Sequence, residues 1–162
     1  MGFYDDWVQA ADDESKHFNL MCDCLEALDS HYGALPARAG MWRAADDTVA
    51  DFMGRLAVVP MVLEACGLDV TPGMIEVFRK AGLTHAVEAL EVTYSEEVSH
   101  VAYGSKWLNF LCRREFLCRR ENHDPKPMFH ALVKQYFHGP LKPPFNEEKR
   151  ADVGLPLIFI GH

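Results

Sequence analysis

The stretch LAVVPMVLEACGL, residues 56–68, carries a single charge, Glu64, among apolar neighbours. A run of this kind is stable only in a core, so Glu64 goes in with it. A carboxylate placed there costs several kcal/mol unless a cation, a proton or a good donor compensates it. Pro60 lies one turn before Glu64 on the same helical face and frees backbone at that point, so a kink is expected.

Two further carboxylates fall on apolar stripes. ADDESKHFNL (11–20) holds Glu14 and His17, and SEEVSHVAYG (95–104) holds Glu97 and His100. At a spacing of three, two helical side chains share a face, about 5–6 Å apart at Cβ. Glu14 stands between Ala11 and Phe18 in the stripe Trp7, Ala11, Glu14, Phe18, Met21, Leu25, Leu28. Glu97 stands between Tyr94 and Val101 in the stripe Leu90, Tyr94, Glu97, Val101, Gly104, Leu108. One Glu-x-x-His is common by chance, as a solvated face or a satisfied core histidine. Two on separate inward faces, with a lone buried Glu, match the carboxylate-bridged two-metal sites of helix bundles. Imidazole beside carboxylate suits iron or manganese. Glu91 and Glu96 lie off the stripe and are expected on a solvent face. Tyr94 is expected to pack or to hydrogen-bond a ligand carboxylate.

The periodicity predicts helices over 4–31, over 43–66 with Gly67 as its stop, from Thr71-Pro72 to near Gly82, over 84–115, and from Asp124-Pro125 to Gly139-Pro140. The tandem LCRREF-LCRREN (111–122) cannot keep both copies in register with a core, because six residues turn a helical face by about 240°. LPLIFI (155–160) is the one strand candidate. The architecture is therefore all-α: a bundle domain over 1–138 and a Pro-rich C-terminal arm, 139–162, lying over it.

Composition narrows the function. A net charge of −8 argues against nucleic acid, with CRREFLCRR (112–120) as a local basic exception. No apolar run was expected to reach membrane-spanning length, and the acidic start, MGFYDDWVQ, lacks signal-peptide features. Five cysteines without a framework spacing suggest a reducing compartment, so cytoplasm is expected. There is no Gly-rich phosphate loop and no G-x-S-x-G.

The strings FYDDWVQAADDESKHF, HYGALP, LAVVPMVLEACGLDVTPGMI, EEVSHVAYGSKW and YFHGPLKPPFNEEKR resemble the ferritin-like family catalogued as domain of unknown function 455, over about residues 3–155. The resemblance implies a ferritin-like four-helix bundle with a dinuclear iron or manganese centre. Carried over by position, its ligands are Glu14, His17, Glu64, Glu97 and His100. Members carry an earlier helix with its own inward Glu. This chain starts at GFYDDW, so one bundle helix and one ligand are expected to be absent and the site incomplete. Where the family shows a His-Asp pair in a loop, this chain has Arg38-Ala39.

The expectation is a two-ion iron or manganese carboxylate protein, an O2-dependent oxidoreductase or monooxygenase acting on an unknown small molecule. Glu64 and Glu97 would bridge, and His17 and His100 would be terminal. The alternative is a non-catalytic helical interaction module or a truncated remnant, self-associating through the face the absent helix leaves. Iron storage, and RNA binding through Arg113, Arg114, Arg119 and Arg120, are further readings.

Overall fold

The computed structural model describes residues 2–119 and 124–155. Six helices and no strand occur among them: α1 (Phe3–Glu26), α2 (Gly40–Asp47), α3 (Phe52–Lys80), α4 (Thr84–Arg119), α5 (Lys126–Tyr136) and α6 (Glu147–Asp152). Residues 120–122 of the second hexad copy and 156–160 of the LPLIFI strand candidate lie outside the described residues.

The long helix α4 is the axis of the molecule, with α1 and α3 packed along it and α5 against the start of α3. The core joins Leu56, Met61, Val62 and Leu68 of α3 to Val101 and Leu108 of α4, and is closed by Phe129 of α5 and Leu155 of the arm. The α4 stripe holds as expected: Leu90, Val101, Gly104 and Leu108 are buried, Tyr94 and Glu97 half-buried.

α3 departs from expectation three times. The predicted helix start at 43 becomes two helices, because a turn at 48–51 intervenes and Asp51 caps the new start by accepting from the Gly54 amide at 2.9 Å. The helix then runs through both expected breaks, Gly67 and Pro72. Pro72 has no N–H for the Leu68 carbonyl, so that carbonyl would be orphaned. Asn146 of the arm fills the gap, its side-chain amide donating to Leu68 O at 3.2 Å. The third departure is at Pro60. Instead of a simple kink, Val59–Glu64 form a π turn, which inserts a residue into the helix. Gly104 permits it: a Cβ there would press into the Pro60 ring.

The arm is built into the body at the same place. Arg150, 2% exposed, makes a paired contact to Asp69 at 2.5 and 2.8 Å and donates to Ala65 O at 3.2 Å. The Tyr94 hydroxyl accepts from Asn146 at 3.2 Å, so Tyr94 packs and bonds the arm rather than a ligand carboxylate. Contrary to expectation, α3 has the length and, over its most apolar 18 residues, the apolar character of a membrane-crossing helix, with mean hydropathy 1.4 there. Packing accounts for this: Leu56, Ala57, Val58, Met61, Val62, Ala65 and Leu68 are all buried within the protein.

α1 also differs. Its buried residues are Asp6, Ala10, Asp13 and His17, one position away from the predicted stripe. Ala11 is exposed, and Phe18 and Leu28 are half exposed. The polar edge of α1 packs on α4 because each polar group has a partner there. Asp6 accepts from Lys106 at 2.5 Å and from the Trp107 indole at 2.8 Å. These contacts, with those of Asp13 and His17 below, run in opposite directions along the two helices, so α1 and α4 are antiparallel.

Candidate metal centre

α1, the π turn of α3 and the middle of α4 meet at one point. Side-chain atoms of Glu14, Glu64 and His100 lie within 4.8 Å of one another there. His100 Nδ1 is 3.2 Å from one oxygen of Glu14, and His17 Nδ1 is 3.7 Å from the other. The imidazole rings stand 5.9 Å apart. Helical spacing puts His17 beside Glu14 and His100 beside Glu97. The π turn ends on Glu64 and aims it at the same place. Gly67, one turn on, leaves room for the Glu97 carboxylate, which a Cβ at 67 would overlap.

The polar accounting at this point is incomplete. His17 Nδ1, His100 Nδ1, Glu64 Oε2 and Glu97 Oε2 are buried without a hydrogen-bond partner. Orphaned polar atoms of this kind are rare in a folded interior and costly. Burial pushes the Glu64 carboxyl up from 4.5 to about 7, against the attraction of His100 and with help from the charges of Glu14 and Glu97. Burial raises Glu97 as well, and Glu14 adds to it. Burial alone would lower His100, but the carboxylates of Glu14, Glu64 and Asp13 outweigh it and raise the imidazole. The His100 contact holds Glu14 below the ordinary carboxylate range. The donors are three carboxylates and two imidazoles, with a formal charge of −3 when the imidazoles are neutral. That set suits divalent iron or manganese. The atoms within 4.8 Å of one another are those of Glu14, Glu64 and His100, so a cation there has two carboxylates and one imidazole at hand, while His17 and Glu97 stand beside that group rather than in it.

The outer nitrogens of both histidines are held. His17 Nε2 contacts Glu96 Oε2 at 2.9 Å, and His100 Nε2 contacts Asp13 Oδ2 at 3.3 Å. A carboxylate at Nε2 favours the Nε2–H tautomer and leaves the Nδ1 lone pair facing the other donors. Glu96 is thus a correction: it is half-buried against His17 rather than on a solvent face. Glu91 is exposed, paired with Arg79 at 2.8 Å, as expected. Asp13 and Glu96 escaped the sequence reading, although a signal existed. Both motifs read acid-Glu-x-x-His, Asp13-Glu14-Ser15-Lys16-His17 and Glu96-Glu97-Val98-Ser99-His100. The leading acid of each supports the histidine of the other.

An all-α protein with a carboxylate–histidine group able to hold a metal ion, its His100 buried, Glu64 half-buried and Glu14 exposed rather than inward as its stripe predicted, is thereby defined. The chain belongs to the family described as protein of unknown function (DUF455), whose model matches residues 1–160. It is also 34% identical over 155 residues to an uncharacterized protein of Haemophilus influenzae (strain ATCC 51907 / DSM 11121 / KW20 / Rd), covering 96% of this chain and 52% of that one. The chain thus spans about half the length of the curated relative it matches. No solved structure matches.

Proposed function

We propose that this protein is a ferritin-like di-metal carboxylate protein, an O2-dependent oxidoreductase acting on a small organic molecule. The observation that carries the reading is the grouping of Glu14, Glu64 and His100 donor atoms within 4.8 Å, with the buried, unpartnered atoms His17 Nδ1 and Glu97 Oε2 on the same helices beside Glu14 and His100. Glu14, Glu64 and His100 would hold metal there, with His17 and Glu97 beside them as further donors. The ions supply the redox chemistry with O2 when bound. The chain's own part is to hold the donors in register and to keep the Nδ1 lone pairs free. The ferritin-like assignment is supported by α1, α3 and α4 each bringing a donor to the group, with the Glu14 side chain 54% exposed. Protein prepared with ferrous iron or manganese is expected to hold about two ions per chain. Glu14→Ala and Glu97→Ala are each expected to lose at least one, measured by elemental analysis after desalting. Unchanged content in both variants rejects the proposal.

A second reading, a helical interaction module, draws on α1. Tyr4, Val8, Ala11, Ser15 and Phe18 recur at steps of four and three on its outer side, with Tyr4 81% and Val8 69% exposed. A seam of this kind invites a second copy of the chain. Asp5 and Asp12 flank it, so paired seams would repel at their edges. Self-association is therefore expected to strengthen as salt rises and to weaken in Val8→Asp, measured by sedimentation. A salt-independent monomer opposes this reading.

A further inference from the structure

The two acid-Glu-x-x-His motifs support one another crosswise, but only one of them carries a cation between its Glu and its His. Where the α4 motif has Ser99, the α1 motif has Lys16. Its ammonium bonds Glu96 Oε1 through a short contact and reaches Asp13 Oδ1 at 3.4 Å. These are the second oxygens of the two carboxylates whose first oxygens hold the histidines. Lys16 therefore differs from an ordinary surface ion pair, which contributes little. Its ammonium takes the second oxygen of each carboxylate and lies between two acids that would otherwise repel.

The two arms are unequally supported. Asp13 has a further donor, the Gln9 amide at 3.1 Å, and its side chain is 8% exposed. Glu96 is 26% exposed and has Lys16 as its cation. We propose that Lys16 is a positioning residue for the His17 side of the site: acting through Glu96, it fixes the Nε2–H tautomer of His17, while Gln9 and Asp13 keep His100 oriented independently. The tautomer effect stands on the metal-free protein. Its consequence for metal rests on the function proposed above.

The test is long-range 1H–15N spectroscopy of the histidines in metal-free, 15N-labelled protein at about pH 8.5, above the usual imidazole titration. Wild type is expected to show both histidines as Nε2–H. Lys16→Met and Lys16→Gln are expected to move His17 toward Nδ1–H or a mixture and to leave His100 in place, with the far-ultraviolet circular dichroism unchanged. Lys16→Arg, which keeps the cation, is expected to retain the wild-type pattern. In cobalt(II) titrations the Lys16→Met variant should bind one equivalent more weakly, by less than the roughly 10–100-fold that losing Glu96, the ligand's own hydrogen-bond partner, would cause. An unmoved His17, an equal change at His100, or a Lys16→Arg spectrum like that of Lys16→Met overturns the proposal. If wild type takes up no metal while Lys16→Met still shifts His17, the metal reading fails and the positioning role stands.

Discussion

Metal-free protein is expected to lose stability as the pH rises from about 5 to about 7.5, and Glu64→Gln to remove most of that loss. Glu64 has its carboxyl pushed by burial from 4.5 to about 7. Between those values the folded chain keeps a proton that the unfolded chain has released. The stabilisation is therefore complete below the unfolded value and disappears as the pH passes through the folded one. A shift of this size corresponds to about 3 kcal/mol. Glu97 is raised in the same direction, and His100, also raised, adds a loss of the same sign above its usual range. Asp6, Asp13, Glu14 and Glu96 are lowered, so their contributions are lost in more acidic solution as pH falls through the folded values. Stability without metal should peak in weak acid. Glutamine is nearly isosteric and carries no charge to desolvate, so the Glu64→Gln protein should exceed wild type by about 3 kcal/mol at pH near 8 and match it near pH 5. Urea denaturation of both proteins at the two pH values measures this. A wild-type midpoint that is flat or rises over this range contradicts it.

Saturating metal should reverse the slope. An ion held by Glu14, Glu64, Glu97 and the two imidazoles needs those groups deprotonated, so binding releases the proton on Glu64 and tightens as pH rises. At free metal a thousandfold above its dissociation constant, the folded state gains about 4 kcal/mol per site, or a melting shift of roughly 10 °C for a chain of this size. Calorimetry with manganese(II) at pH near 8, before and after a chelator, reads the effect. Glu64→Gln separates the two predictions: it should be the more stable protein without metal and the less stable one with it. A wild-type melting temperature indifferent to manganese, ferrous iron and cobalt alike would leave the orphaned carboxylates uncompensated and remove the reason for placing ions there.

Several features of the site follow from local rules. Glu14 with His17, and Glu97 with His100, share a face because three residues bring a helix nearly full circle, whatever surrounds it. Glu64 drew attention as one charge in an apolar run, and a carboxylate there has to be answered by its neighbours. The α4 stripe was legible for the same reason: its periodicity and its burial coincide.

α1 shows where such reading ends. Its apolar periodicity is real, yet the buried edge is Asp6, Ala10, Asp13 and His17, because Lys106, Trp107, His100 and Glu96 wait for them across the antiparallel pair. Hydrophobic pattern ranks residues singly, whereas burial of a charge depends on a partner elsewhere in the chain. The passage of α3 through Pro72 likewise depends on Asn146, whose amide takes the carbonyl the proline abandons. The amino-acid order by itself determined the helical class, the spacing of the Glu and His pairs and the oddity of Glu64, all set within a turn or two of backbone. Only the tertiary structure decided that Glu96 and Asp13 serve the opposite helix's histidine and that a π turn brings Glu64 to Glu14 and His100. Those contacts join residues dozens of positions apart, and their geometry is fixed by helix register and packing.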